Sequence, residues 1–202
     1  MTDNLKIMVL ASHNAKKAYE LRRILAPLGL ELLSLADFPD APVPEETGQT
    51  FEENAVIKAK SAVDATGLPA LADDSGLEVD ALGGQPGVRS ARYAGEDAND
   101  TANNRLLLER LAGLPPGRRG AGFVSVVALA FPGGGVKTFR GETRGVILEQ
   151  ARGYGGFGYD PLFLSDDLGV TFAEADSDEK NRVSHRGRAL AALVRWMADG
   201  GE

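Results

Sequence analysis

Apolar runs and helical patterns take turns along the first part of this chain. Lys6 to Ala11 is a short apolar run that predicts a buried strand, and Ala18, Leu21, Leu25 and Leu28 then recur at the spacing of one helix face. A second strand is expected over Leu30 to Leu35. Thr50 with Glu53 makes a capping-box pair for a helix reaching about Thr66, where Gly67 supplies the stop. The next run, Pro69 to Ala72, predicts a strand that delivers Asp73 and Asp74 at its carboxyl end. From Gly83 to Asn99 the pattern is irregular, and helical spacing resumes from Thr101 to Leu111. Ala121 to Phe131 and Val136 to Leu148 are rich in Val, Phe and Thr, and the PGGG between them predicts a hairpin of two long strands. A last helix is expected from near Ser184, with Leu190, Leu193, Val194 and Met197 on one face and Gly200-Gly201 ending it. Strands alternating with helices, joined by one antiparallel hairpin, predict an α/β fold with a mixed central sheet and flanking helices.

Composition narrows the function classes. The 202 residues, 43% hydrophobic and 25% charged, suit a single folded domain, read as residues 1–202, with a substantial core. A net charge of -7 opposes a nucleic-acid backbone over the surface as a whole, so no nucleic-acid partner is expected. A small phosphorylated ligand would need a local cluster of cations. The absence of cysteine excludes disulfides and thiolate metal sites. The apolar run in MTDNLKIMVLA is too short for a signal peptide or a membrane span, which gives the expectation of a cytoplasmic protein with no membrane partner.

Four segments carry candidate chemistry. Ala11 to Lys17, ASHNAKK, lies where the first strand meets the first helix, and the free N–H groups and dipole there attract an anion beside Lys16 and Lys17. Alone it reads equally as a helix cap by Ser12 or Asn14 with solvated lysines, and it lacks the glycines of a Walker loop. Pro44 to Lys60 mixes Glu45, Glu46, Glu52 and Glu53 with Lys58 and Lys60. It reads as an acidic helix start or, more sharply, as Glu46 ligating a metal and Lys58 touching phosphate. Asp73-Asp74 suits magnesium, which takes one or two carboxylates and completes its shell with water and phosphate oxygens. Consecutive strand residues point to opposite sides, so one aspartate faces a ligand and the other braces a turn; the plain alternative is a turn with both accepting backbone N–H groups. The last segment is split between GYGGFGYDP, Gly153 to Pro161, and EKNRVSHRGRAL, Glu179 to Leu190. Its four glycines open the backbone around Phe157, Tyr159 and Asp160, an aromatic platform with a carboxylate, while Lys180, His185 and Arg186 supply donors. The alternatives are core aromatics and a helix capped by Ser184.

In their order and wording, SHNAKKAYEL, EETGQTFEENAVIKAK, LADDSGLEVDALGGQPGVRSARYAG, GGFGYDPLF and EKNRVSHRGRAL resemble the inosine triphosphate pyrophosphatase family nearly from end to end. The resemblance implies an elongated, two-lobed α/β subunit, a homodimer, and magnesium-dependent (Mg2+) hydrolysis of ITP, dITP and XTP to the monophosphate and pyrophosphate. It implies that Ser12, His13, Asn14, Ala15, Lys16 and Lys17 surround the triphosphate, and that Glu46 and Asp74 hold the metal, Asp74 also serving as general base. Ser75 follows as a substrate contact and Lys58 as a phosphate contact. Phe157, Gly158, Tyr159 and Asp160 form the base pocket, completed by Lys180, His185 and Arg186. The family's usual Thr-Gly is Ser12-His13 here, and His lacks the backbone freedom of Gly.

Two other classes stay open on the residues alone: a metal-dependent phosphatase of monoesters, and a nucleotide-binding regulator without turnover. For the favoured reading, deamination gives hypoxanthine and xanthine an O6 acceptor and an N1–H donor that adenine lacks. Donors from His185-Arg186 at O6, with Asp160 or a backbone carbonyl at N1–H, would then reject adenine.

Overall fold

The computed structural model describes residues 6–12 and 14–200. Its strands are Ile7–Leu10 (β1), Glu31–Ser34 (β2), Ala70–Val79 (β3), Gly120–Ala130 (β4), Val136–Ile147 (β5) and Phe163–Ser165 (β6). The helices are Ala15–Leu25 (α1), Phe51–Thr66 (α2), Asp100–Arg110 (α3), Ser177–Val183 (α4) and His185–Ala198 (α5). The strands make one mixed sheet in the order β2-β1-β3-β4-β5-β6. β1 is parallel to β2 and to β3, with Val9 opposite Ala70 and Leu10 opposite Leu71, whereas β5 and β6 are antiparallel. Neighbouring β4 and β5 are joined by a loop far too short for a parallel crossover, with the Gly134 and Phe131 amides closing it on Phe131 and Gly135 carbonyls. The mixed sheet and its hairpin are therefore as the pattern predicts.

Contacts divide the chain into two compact units: Met1–Asp74, Ser125–Gly141 and Arg186–Glu202 form the first, and Ser75–Val124 with Glu142–His185 the second. In the first unit, Leu21 and Leu25 of α1 and Leu190 and Leu193 of α5 pack with Met8, Leu10, Leu71, Val127 and Leu129 of the sheet. These are the apolar positions that recur at helical spacing in the sequence. The second unit has its own core of Leu77, Val79, Leu107, Leu111, Phe123, Ile147, Tyr159, Phe163 and Phe172. Buried Arg119 closes that core's edge by donating to the carbonyls of Leu111, Ile147 and Leu148, the ends of α3 and β5.

Several local expectations change. β3 does not stop before Asp73; it continues to Val79, so the acidic pair lies inside a strand rather than on a turn. The strand tolerates two carboxylates because cations from other elements face them. Leu28 belongs to a 3-10 turn, Ala26–Leu28, not to α1, since Pro27 cannot continue the hydrogen bonding. The helix expected to open near Ser184 stands as α5, from His185, and what the pattern omits is the short charged helix before it, α4, capped by Asp176. Gly201 lies outside the described residues. No described helix is long and apolar enough to cross a membrane.

Candidate active site

In the first unit the capping box on α2 is formed as its sequence predicts: Thr50 Oγ1 accepts from the Glu53 amide and the Glu53 carboxylate from the Thr50 amide. This fixes the first turn of α2, where Asn54 is 1% exposed. Asn54 Oδ1 accepts from the Gly48 amide at 2.8 Å, and its Nδ2 lies 3.5 Å from Asp74 Oδ2. A side chain on Gly48 would collide with Asn54 and Glu53, so glycine is what lets the Glu46 loop lie this close to α2. One turn further along, Lys58 Nζ donates to Asp74 Oδ1 at 2.7 Å and lies 3.3 Å from Glu46 Oε1. The two carboxylates proposed as metal ligands therefore meet around one ammonium.

Asp73 points the other way. Its side chain has no exposed surface, and it takes Lys17 Nζ of α1 at 3.3 Å, Arg186 Nη2 of α5 at 3.2 Å and the Ser125 hydroxyl of β4. Arg186 in turn pairs with Glu20 of α1. Alternation along β3 thus hands Asp74 to α2 and Asp73 to α1 and α5. β1 pairs with β3 only as far as Leu71, and both aspartates follow that end.

The electrostatics separate the neighbours. Burial would raise the Asp73 carboxyl, but Arg186, Lys17 and the Ser125 hydroxyl overcome it and hold the group well below the usual carboxylate range. Burial also raises Asp74, and there the attraction of Lys58 and Lys17 does not cancel it, so the net shift is upward. Burial pulls Lys58 down, yet Asp74 and Glu46 outweigh it and the ammonium is stabilised. The two members of this pair thus differ: the lysine is held charged while its aspartate is pushed toward neutrality, because burial and nearby Glu46 both act against the Asp74 anion. Lys17 is lowered, by burial first and by Arg186 and Lys58 next, against the pull of Asp73.

At the start of α1, Asn14 is the cap: its Oδ1 accepts from the Lys16 and Lys17 amides, and Ser12 Oγ lies 3.4 Å from the Asn14 carbonyl. The capping alternative therefore holds for Asn14, while Lys17 turns to Asp73. Lys16 is exposed. His13 lies outside the described residues, and of Ala15 only its place in α1 is described.

The second unit gathers another cluster. In the loop before β6, Gly153, Gly156 and Gly158 adopt φ of 81°, 71° and 60°. A side chain on Gly156 would run into the Asp160 carboxylate. Asp160 Oδ2 accepts from the Phe157 amide at 2.9 Å and from Lys180 Nζ at 2.8 Å, and that ammonium sits 4.9 Å from the Phe157 ring centroid. Lys180 is buried here because α4 presents it. His185 stacks on Phe123 at 4.8 Å. Tyr159 lies in the core with its hydroxyl donating to the Ser90 carbonyl, and Phe157 keeps a partly open ring. Both terminal nitrogens of the Arg186 guanidinium are engaged, by Glu20 and Asp73. Ser75 is half-buried in β3.

Sequence reasoning missed Asn54, Ser125 and Glu20. Asn54 leaves a trace, a weak helix former on the apolar face of α2; Glu20 and Ser125 leave none.

The Ham1 family model matches residues 8–196. The chain belongs to the Ham1 family. The dITP/XTP pyrophosphatase of Geobacter sulfurreducens is 58% identical over 186 residues, 92% of this chain and 94% of that protein. A dITP/XTP pyrophosphatase of Thermus thermophilus is 55% identical over 193 residues, 96% of this chain and 92% of its own length. Among solved structures, a HAM1 protein from Coxiella burnetii superposes with a TM-score of 0.87 at 42% identity, covering 96% of this chain and 98% of its own. This Ham1-family membership bears out the family resemblance read from the motifs, and the solved relatives share the mixed-sheet α/β fold.

Proposed function

We propose that the chain hydrolyses ITP, dITP and XTP to the corresponding monophosphate and pyrophosphate. The observation that carries this reading is the cluster around Lys58: two carboxylates, half-buried Glu46 and buried Asp74, converge on one cation in a protein 58% identical to a dITP/XTP pyrophosphatase.

The donor set fits magnesium. Glu46 and Asp74 are hard oxygen donors whose present partner is a cation, and among the described residues no group of three acidic or imidazole side chains is assembled. Two carboxylates suit an ion that leaves most of its shell to water and phosphate oxygens. Glu46 and Asp74 would hold it, and when bound it supplies neutralisation of the triphosphate charge. The residues of the chain do the rest. Asp74, raised above its ordinary carboxyl value, is suited to orient a water and accept its proton as the water oxygen bonds to phosphorus and the anhydride between the α- and β-phosphates breaks. Lys58 and Lys17 supply fixed positive charge against a chain of net charge -7. Asp73, held ionised, keeps Lys17 and Arg186 in place and takes no proton. Base recognition falls to Phe157, Asp160 and Lys180. A homodimer completes the proposal and rests on the family resemblance.

The test is a panel of ITP, dITP, XTP, ATP and GTP with magnesium, scored for pyrophosphate and orthophosphate. Pyrophosphate from the deaminated purines, abolished by chelator, is the expected result. Orthophosphate from monoesters would make the chain a phosphatase, and tight nucleotide binding without any turnover would make it a regulator. Sedimentation at micromolar concentration reads the dimer.

A further inference from the structure

The segment EDANDTANN, Glu96 to Asn104, holds polar side chains that the proposed reaction does not use, and two of them grip the loop assigned to the base. The Gly158 amide donates to Asp100 Oδ2 at 2.8 Å, and the Gly158 carbonyl accepts from Asn104 Nδ2 at 3.0 Å. Asp100 and Asn104 are four residues apart on α3 and so stand on one face. The bond to the Asp100 carboxylate orients the peptide before Gly158 and the bond to Asn104 the peptide after it. Between them they hold the one residue of the Phe157–Asp160 loop whose left-handed φ of 60° no side chain constrains.

We infer that Asp100 and Asn104 are positioning residues that set purine selectivity through Gly158, an inference that rests on the proposed function. Gly158 is next to Phe157 and two residues from Asp160. The loop's internal closure, the Phe157 amide on the Asp160 carboxylate, fixes its shape, whereas Asp100 and Asn104 fix its placement. Their platform is firm. Leu107 of α3 and Leu111 just after it are fully buried, Asn103 holds the preceding segment through the Ala94 amide and the Ala91 carbonyl, and Arg119 holds the Leu111 carbonyl. Asn104 is not there for stability alone: its Oδ1 is buried with no hydrogen-bond partner among the described residues, a cost the fold bears while Nδ2 reaches Gly158. A shift of the loop by a fraction of a hydrogen-bond length changes which base edge Asp160 and Phe157 can meet, so the effect belongs in binding and selectivity rather than in the bond-breaking step.

The test measures kcat and KM separately for ITP and ATP in the full chain, together with Gly158 amide exchange by NMR. Asp100 is exposed, so Asp100→Ala leaves the core intact; Asn104→Asp removes the donor and sets a carboxylate against the Gly158 carbonyl. Both variants should raise KM for ITP about tenfold, the size of one lost hydrogen bond, with kcat within about twofold and a smaller ITP/ATP ratio. Gly158 exchange should quicken in both. Asp100→Asn, which keeps an acceptor oxygen, should restore KM and the ratio. Unchanged KM and ratio in folded Asp100→Ala and Asn104→Asp overturn the inference, as does a fall confined to kcat or a failure of Asp100→Asn to restore. Wild-type protein that releases no pyrophosphate from ITP defeats the proposed function and this inference with it, whereas active wild type with indifferent variants defeats this inference alone.

Discussion

Asp73 and Asp74 are consecutive residues of β3 whose carboxyl groups are driven in opposite directions, Asp73 far toward the anion and Asp74 toward the neutral acid. Both are buried, so burial does not distinguish them. The difference is the company each keeps: a guanidinium, an ammonium and a hydroxyl around Asp73, and around Asp74 the Lys58 ammonium that it shares with Glu46 and the Asn54 amide. Under the proposed function, groups pushed apart in this way would divide the work between a fixed charge and a proton acceptor.

Substitution should separate those roles. Asp74→Asn is expected to lower pyrophosphate release from ITP by a factor on the order of 10²–10⁴ while leaving the unfolding midpoint in urea close to that of the wild type. Asp73→Asn should instead destabilise the fold by about 3–5 kcal/mol, because it leaves Lys17 and Arg186 facing each other without their anion. Near-normal turnover in folded Asp74→Asn would remove it from the reaction.

Acid stability follows from the depressed Asp73 carboxyl. Its folded value lies below the ordinary 3.8, so its contribution is complete above that pH and is lost as pH falls toward the folded value. Asp74 has the reverse sign, since its raised value favours the folded state when protonated and that advantage shrinks as pH rises through and above 3.8. Urea midpoints measured from about pH 6 to about pH 2 should therefore fall less steeply for Asp73→Asn than for the wild type, and more steeply for Asp74→Asn.

Arg186 links α5 to both Asp73 and Glu20. Arg186→Ala is expected to cost about 3–5 kcal/mol of stability and to lower turnover of ITP and ATP by similar factors, because it loosens Asp73 without touching the 157–160 loop's own hydrogen bonds. A selective loss for ITP, with stability unchanged, would return Arg186 to base recognition.

Lys58 lies between Glu46 and Asp74 and pairs with both. Lys58→Ala should lower turnover by at least about tenfold, and thermal melts without nucleotide should show stronger stabilisation by magnesium, which then has no ammonium to displace. Lys137→Ala, whose ammonium lies over the Trp196 ring, serves as the control and should do neither.

Gly156 has no substitute. A left-handed φ of 71° and the Asp160 carboxylate beside it leave no room for a methyl group, so Gly156→Ala should break the Asp160 bonds to Phe157 and Lys180 and weaken ITP binding before it affects ATP. Parallel KM measurements check the order.

What the sequence determined by itself was local or carried by whole motifs. The helix faces of α1 and α5, the Thr50–Glu53 capping box and the hairpin over PGGG follow from periodicity and turn chemistry within a few residues, and they stand in the structure except that α1 ends at Leu25, before Leu28. The acidic pair, Lys58, Lys180 and the glycine-rich loop were legible as candidates because their residue types are unusual where they occur. The short, polar α4 and three-residue β6 were not, since neither has an apolar period. The family motifs already single out Asp74, but only the tertiary structure decided which groups brace Asp73. One of them is Arg186, which lies 113 positions from Asp73 and 166 from Glu20 along the chain and meets both because α1 and α5 pack on the sheet. A charge acquires its role from the groups that the fold sets within a few ångströms of it, and no local pattern in a chain encodes a partner that distant.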